Sequence, residues 1–159
     1  MINLERGGHL KIKLTQRKEQ TEIEVEIKYC EMNSKVKHLV QRMEHYDYCI
    51  LGNDSGRIYK IDVEDIFYIE SVDRKTFIYT RTQVFRTERK LYQLLEELEF
   101  HDFVQISKSI ILNIDALESM KVLANSRIEV TLQNGEKLNA SRTYIPNIKR
   151  AFNKEEQKN

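Results

Sequence analysis

The chain has 159 residues, 26 Lys and Arg against 25 Asp and Glu, a formal net charge of +1, 40% hydrophobic residues and 32% charged ones. That composition suits one globular domain, or a domain with a smaller unit attached, and it excludes a disordered chain too poor in apolar residues to bury a core. It also holds no apolar run near the ~18 residues of a membrane span, no signal-peptide core in its first ten residues, and no bulk positive charge of the kind that phosphate binding favours.

These exclusions point to a cytoplasmic protein. Residues 1–56 carry 9 cations and 9 anions, and residues 57–152 carry 15 and 14. A nucleic-acid site would therefore need its cations gathered on one face. Cys30 and Cys49 have no CxxC spacing and are expected as buried free thiols in a reducing compartment.

The N-terminal third predicts strand, strand, helix. Leu10, Ile12 and Leu14 alternate with lysines, and Ile23, Val25, Ile27 and Tyr29 alternate with Glu22, Glu24, Glu26 and Lys28. Such period-2 patterning fits a half-solvated antiparallel pair, with 16–21 as its loop. Val36, Leu39, Val40 and Met43 then fall on one helical stripe, with Asn33 or Ser34 as N-cap.

From Tyr46 onward strands dominate. Residues 48–51 and 57–61 flank a turn over 52–56, and 66–72 and 76–81 flank Asp73-Arg74-Lys75. A short strand at 84–86 precedes a helix marked by Leu91, Leu94, Leu95 and Leu98. Strands at 103–112, 117–123, 127–132 and 137–140 follow, the last two joined at Asn134-Gly135, a favoured hairpin pair. A final helix carries Ile145, Ile148 and Phe152, with Pro146 tolerable in its first turn.

Catalytic and metal chemistry has little to stand on. His9, His38, His45 and His101 lack ligand spacing, and there is no HExxH, phosphate-binding glycine loop or nucleophile elbow. Glu64-Asp65 and His101-Asp102 read as strand-flanking and loop polars. No enzyme, cofactor or metal is expected.

Three small clusters join a cation to hydroxyls at strand ends: Arg74-Lys75-Thr76, Ser107-Lys108-Ser109 and Ser141-Arg142-Thr143. Each has the equipment for charge-assisted phosphate bonds backed by short donors. A single cluster of this kind reads as a solvated turn; the order and spacing of all three are more specific.

The segments 65–71, 103–113 and 134–142, in that order, resemble the LytTR family of bacterial DNA-binding domains. The resemblance spans about residues 56–152. It implies a mainly β (α+β) fold, an elongated stack of small antiparallel β-sheets with two helices, here preceded by a small strand-strand-helix unit. It also implies that loops, not a recognition helix, enter successive major grooves of double-stranded DNA. Carried over by position, Lys75 and Thr76 with Arg74 form the first contact, Lys108 with Ser107 and Ser109 the second, and Arg142 and Thr143 with Ser141 the third. Asn113 falls at a recurrent polar position that reads as structural, capping the turn Ile114-Asp115-Ala116.

The chain departs from the family pattern where Arg, His, Arg and Arg are usual, at Gln105, Ser107, Lys108 and Thr143. Lysine acts as a flexible point charge where arginine forks onto guanine. The expected division is 1–52 for dimerisation or sensing, 53–152 for DNA binding, and a polar tail at 153–159. Residues 1–52 are too few for the receiver domain of other members, so the chain resembles the short regulators without one. That subgroup implies a homodimer on a repeated promoter site and a small integral-membrane regulatory partner. The competing reading is a protein-interaction or ligand-sensing β module with weakened DNA binding.

Overall fold

The computed structural model describes residues 2–6 and 10–156. β1 (Ile2–Arg6) and β2 (Leu10–Leu14) form an antiparallel pair, and α1 (Ser34–Glu44) follows an irregular stretch. Asn33 caps α1 as expected, its Oδ1 accepting from the amides of Lys35 and Val36 at 3.0 and 3.1 Å. The N-terminal pattern of two strands and a helix is present, but its paired strands differ from expectation. Residues 23–29 form no strand, and Ile23 and Val25 are 86% and 58% exposed. Alternation supplies a potential face but no partner, and β2 is paired with residues 2–6.

The body holds two further sheets. β3 (Cys49–Asp54), β4 (Arg57–Asp62), β5 (Ile66–Val72), β6 (Lys75–Thr80), β7 (Val84–Thr87), β8 (Phe103–Gln105) and β9 (Ile110–Asn113) make an antiparallel sheet ordered β4-β3-β7-β6-β5-β9-β8. α2 (Leu91–Glu97) lies between β7 and β8 in sequence. β10 (Leu117–Val122), β11 (Ile128–Leu132) and β12 (Lys137–Ala140) make the second, and α3 (Ile145–Glu156) closes the described chain.

The larger sheet is buried on both faces at its centre. Ile111 on β9 joins Ile66, Ile69, Ile78, Leu94 and Leu98 on the α2 side, while its neighbour Leu112 joins Ile128, Val130, Leu132 and Ile148 on the other. This two-sided burial explains why β5 and β9 read as nearly continuous apolar runs. Each fully buried Ile or Leu contributes ~1.5–3 kcal/mol relative to exposure.

Three sequence expectations are corrected within this body. Residues 103–112 are a hairpin, β8 and β9, with 106–109 as its loop. The apolar composition hid the break because Ile106, inside the loop, is itself wholly buried. The turn expected over 52–56 contracts to Ser55-Gly56, whose φ angles of 50° and 84° suit a two-residue hairpin. Gly52 belongs to β3, where a Cβ would stand 2.5 Å from Ile61 Cδ1 and 2.7 Å from Phe85 Cβ. Finally, Cys30 is exposed and Cys49 half-buried.

β3 begins at Cys49 and places Ile50 in the core of the larger sheet. α1 docks against it through an Arg42–Asp102 ion pair of 2.6 Å and the rings of His38 and His45 on Phe100.

Candidate nucleic-acid interface

The three cation-bearing loops are wired together by main-chain hydrogen bonds. The β8–β9 loop is central. Ser71, at the end of β5, donates its amide to Ser109 O at 2.8 Å, and Ser141, after β12, donates its amide to Ile106 O at 2.9 Å. The first and third loops are thus tied to opposite ends of the second. The buried Ile106 side chain shares a core cluster with Ala140 and Ile148, which fixes the middle loop against the start of α3.

Each loop has a local reason for its shape. Asp73 and Arg74 form a two-residue hairpin turn between Val72 and Lys75, with φ of 49° and 66°. Asp tolerates this left-handed conformation and Gly is favoured after it; Arg74 stands where Gly would be easiest. In the second loop Ser107 Oγ accepts from the Ser109 amide at 3.1 Å and lies 3.3 Å from Ser109 Oγ, which turns Lys108 outward at the exposed apex. In the third, residues 142–144 make a 3-10 turn closed by Tyr144 N to Ser141 O at 3.0 Å.

Exposure divides the expected contact residues. Arg74, Lys75, Lys108, Ser141, Arg142 and Thr143 are exposed, and Ser107 and Ser109 are half-buried. Thr76 departs from its expectation as a surface contact: it is 2% exposed, an inward residue of β6 paired opposite Ser71 and Thr87. The turn contracts to Asp73-Arg74, β6 begins at Lys75, and Thr76 lies among the residues lining the cleft between the first two loops.

The first and second loops meet across a cleft of 590 Å3 lined by Arg74, Lys108, Ser71 and Ser109, with Lys90, Tyr92 and Gln105 on its other walls. No carboxylate stands among its described lining residues. Nor, among the described residues, does a carboxylate pair with Arg74, Lys75, Lys90 or Lys108, whereas Arg42, Arg86, Arg89 and Lys137 are each engaged, by Asp102, Glu88, Glu97 and Glu129. Near-neutral net charge is therefore compatible with a local excess of unpaired cations. Lys90 and Tyr92 were not singled out by sequence; they precede or begin an amphipathic helix, and only the folded hairpins bring them to the cleft.

Polar ties brace the interface from behind. Asn113 performs the expected capping, with Oδ1 accepting from Asp115 N at 3.0 Å, and its Nδ2 also donates to Ile66 O at 2.8 Å. Tyr68 stacks on Tyr79 with centroids 4.1 Å apart and donates its hydroxyl to Glu136 at 2.7 Å. Burial, then the bond to Glu136, raises the Tyr68 pKa well above 10.0 and keeps it a donor. This bond ties β5 to the turn before β12, and so to the strand that leads into the third loop.

A mainly β body with loop-borne cations defines the class. Residues 56–153 match the family model described as "LytTr DNA-binding domain", and the chain belongs to that family. Relatives in Staphylococcus aureus strains bovine RF122 / ET3-1 and NCTC 8325 / PS 47 are described as uncharacterized HTH-type transcriptional regulators. Each is 27% identical over 142 residues, covering 88% of this chain and 96% of the relative. A solved LytTr DNA-binding domain from Bacillus cereus has the same fold, with TM-score 0.60 and 19% identity over 65% of this chain and 94% of that one. In this chain strands separate α1, α2 and α3 from one another, so among the described residues no two consecutive α-helices form a helix-turn-helix. Among those residues, too, no helix is long and apolar enough to cross a membrane.

Proposed function

We propose that the protein is a sequence-specific transcriptional regulator of the cytoplasm, presenting loops 73–76, 107–109 and 141–143 to successive major grooves of duplex DNA. The observation that carries this reading is the cleft at which Arg74, Lys90 and Lys108 gather with no carboxylate lining it and no ionic partner among the described residues. Unpaired cations gain most from phosphate, because no existing pair must break and condensed counterions are released. Lys108 and Arg142 read bases, Arg74 and Lys75 anchor the backbone, and the serine and threonine hydroxyls add short donors. Thr76 supports the first loop from within. The N-terminal unit, residues 1–52 in the expected division, holds two copies together on a repeated site and receives control from a small integral-membrane partner.

The test is a competition between the protein's own upstream duplex and random duplex. Lys108→Ala and Arg142→Ala should each weaken specific binding by about 1–3 kcal/mol, roughly 5- to 150-fold, and narrow the preference over random DNA. Unchanged binding in both variants would remove these residues from the interface. Wild-type binding that is no better to the upstream duplex than to random DNA would leave the interaction-module reading.

A further inference from the structure

Residues 22–29 keep the chemistry of a strand without having a sheet. Glu22, Glu24 and Glu26 alternate with Ile23, Val25 and Ile27. Glu26 pairs with Lys28 at 3.2 Å, as expected for side chains two apart on one side of an extended chain. Apart from the half-buried Ile27 the segment is exposed, with Ile23 86%, Val25 58% and Tyr29 52% accessible. β2, meanwhile, pairs among the described residues on one edge only, with β1. It alternates Lys11 and Lys13 with Ile12 and Leu14, which are 43% and 52% exposed. The two segments are complementary in pattern: paired side by side, lysines would meet glutamates on one surface, and Ile12 and Leu14 would meet Ile23, Val25 and Ile27 on the other.

We infer that two copies of the chain exchange residues 22–29, each adding that segment as a strand to the free edge of the other's β2. Strand addition satisfies an open edge with main-chain bonds while alternate side chains set specificity. A second copy is the occupant favoured on two grounds. Within one chain the segments stay unpaired although only residues 15–21 separate them. Antiparallel pairing of 22–29 with its own counterpart, centred on Val25 so that apolar residues meet, would set Glu24 against Glu26 twice and match only Glu22 with Lys28, whereas exchange onto β2 sets lysines against glutamates in both chains through the same two-fold contact. The inference deepens the dimeric part of the proposed function. Its test reads assembly without DNA, so its failure leaves the loop contacts standing.

The experiment is light scattering on the full chain at micromolar concentration with a charge-exchange pair. One variant carries Glu24→Lys and Glu26→Lys, the other Lys11→Glu and Lys13→Glu. Wild type should run as two chains and each variant as one. An equimolar mixture should restore a two-chain species containing one of each, because every β2 then meets an oppositely charged segment. Restoration also shows that both variants fold. A one-chain wild type, variants that stay dimeric alone, or a mixture that stays monomeric would overturn the inference.

Discussion

Arg74 ties the proposed DNA contact to a single backbone angle. A non-glycine residue at φ 66° carries strain of about 1–2 kcal/mol, and such strain persists where the side chain is needed at that point. Arg74→Gly should relieve it and raise unfolding free energy by up to about 1 kcal/mol in urea denaturation, the gain being reduced by the greater freedom of glycine in the unfolded chain. The same variant should bind DNA more weakly. A variant that is both less stable and equally tight in binding would contradict the role given to Arg74. His101 supplies the second residue-scale prediction. Its ring stacks on Tyr48 at 5.8 Å, and its Nε2 is buried without a hydrogen-bond partner among the described residues. Burial, then His45 and Arg42, lowers its pKa from 6.5, against the opposing pull of Asp102 and Glu64. The unfolded chain therefore takes up this proton more readily, so the stabilisation is complete above pH 6.5 and is lost as pH falls through the lowered value. Between pH ~7.5 and ~5.5 the urea midpoint of wild type should fall further than that of His101→Gln; equal falls would assign the acid sensitivity elsewhere.

At the scale of elements, the β8–β9 hairpin joins the core to the proposed DNA-contacting loops. Ile106 fills the core beside Ala140 and Ile148 while its carbonyl holds the amide of Ser141. Ile106→Ala should cost ~2–5 kcal/mol in urea unfolding through the cavity it leaves. It should also weaken DNA binding although every cation remains. Loss of stability with undiminished affinity would show that the loops do not depend on this anchor. The hairpin also marks where sequence reading stops. Alternation and turn chemistry made α1, the β5–β6 hairpin and the Asn134-Gly135 turn legible, and Asn113 could be read as a cap. The break between β8 and β9 was hidden because an apolar loop residue looks like an apolar strand residue. Residues 23–29 misled in the opposite direction, since a half-apolar pattern records a capacity to pair and not the identity of the partner. Thr76 illustrates the same limit one residue at a time: the sequence placed it at a strand start beside the turn, and only its neighbours in the sheet, Ser71 and Thr87, account for its burial. The candidate site was legible as three clusters, whereas Lys90 and Tyr92 were not, because their proximity to Lys108 is created by the sheet order.

For the whole molecule, charge placement matters more than charge sum. The net charge of +1 includes cations held in ion pairs, such as Arg42–Asp102 and Lys137–Glu129, and others, Arg74, Lys90 and Lys108 among them, gathered at one cleft with no carboxylate among its described lining residues. A core cluster on each side of the larger sheet holds the strands that carry the first two loops. If those cations are the DNA-binding surface, binding should release counterions in proportion to the phosphates they meet. The decisive measurement is the affinity of the wild-type protein for its own upstream duplex as salt is raised. Affinity should fall steeply and linearly on logarithmic axes, and Lys90→Ala should reduce the slope by about one unit, with a uniform loss across DNA sequences. An affinity indifferent to salt, or a slope unaltered by removing Lys90, Arg74 and Lys108 together, would contradict the assignment of this edge as the nucleic-acid interface.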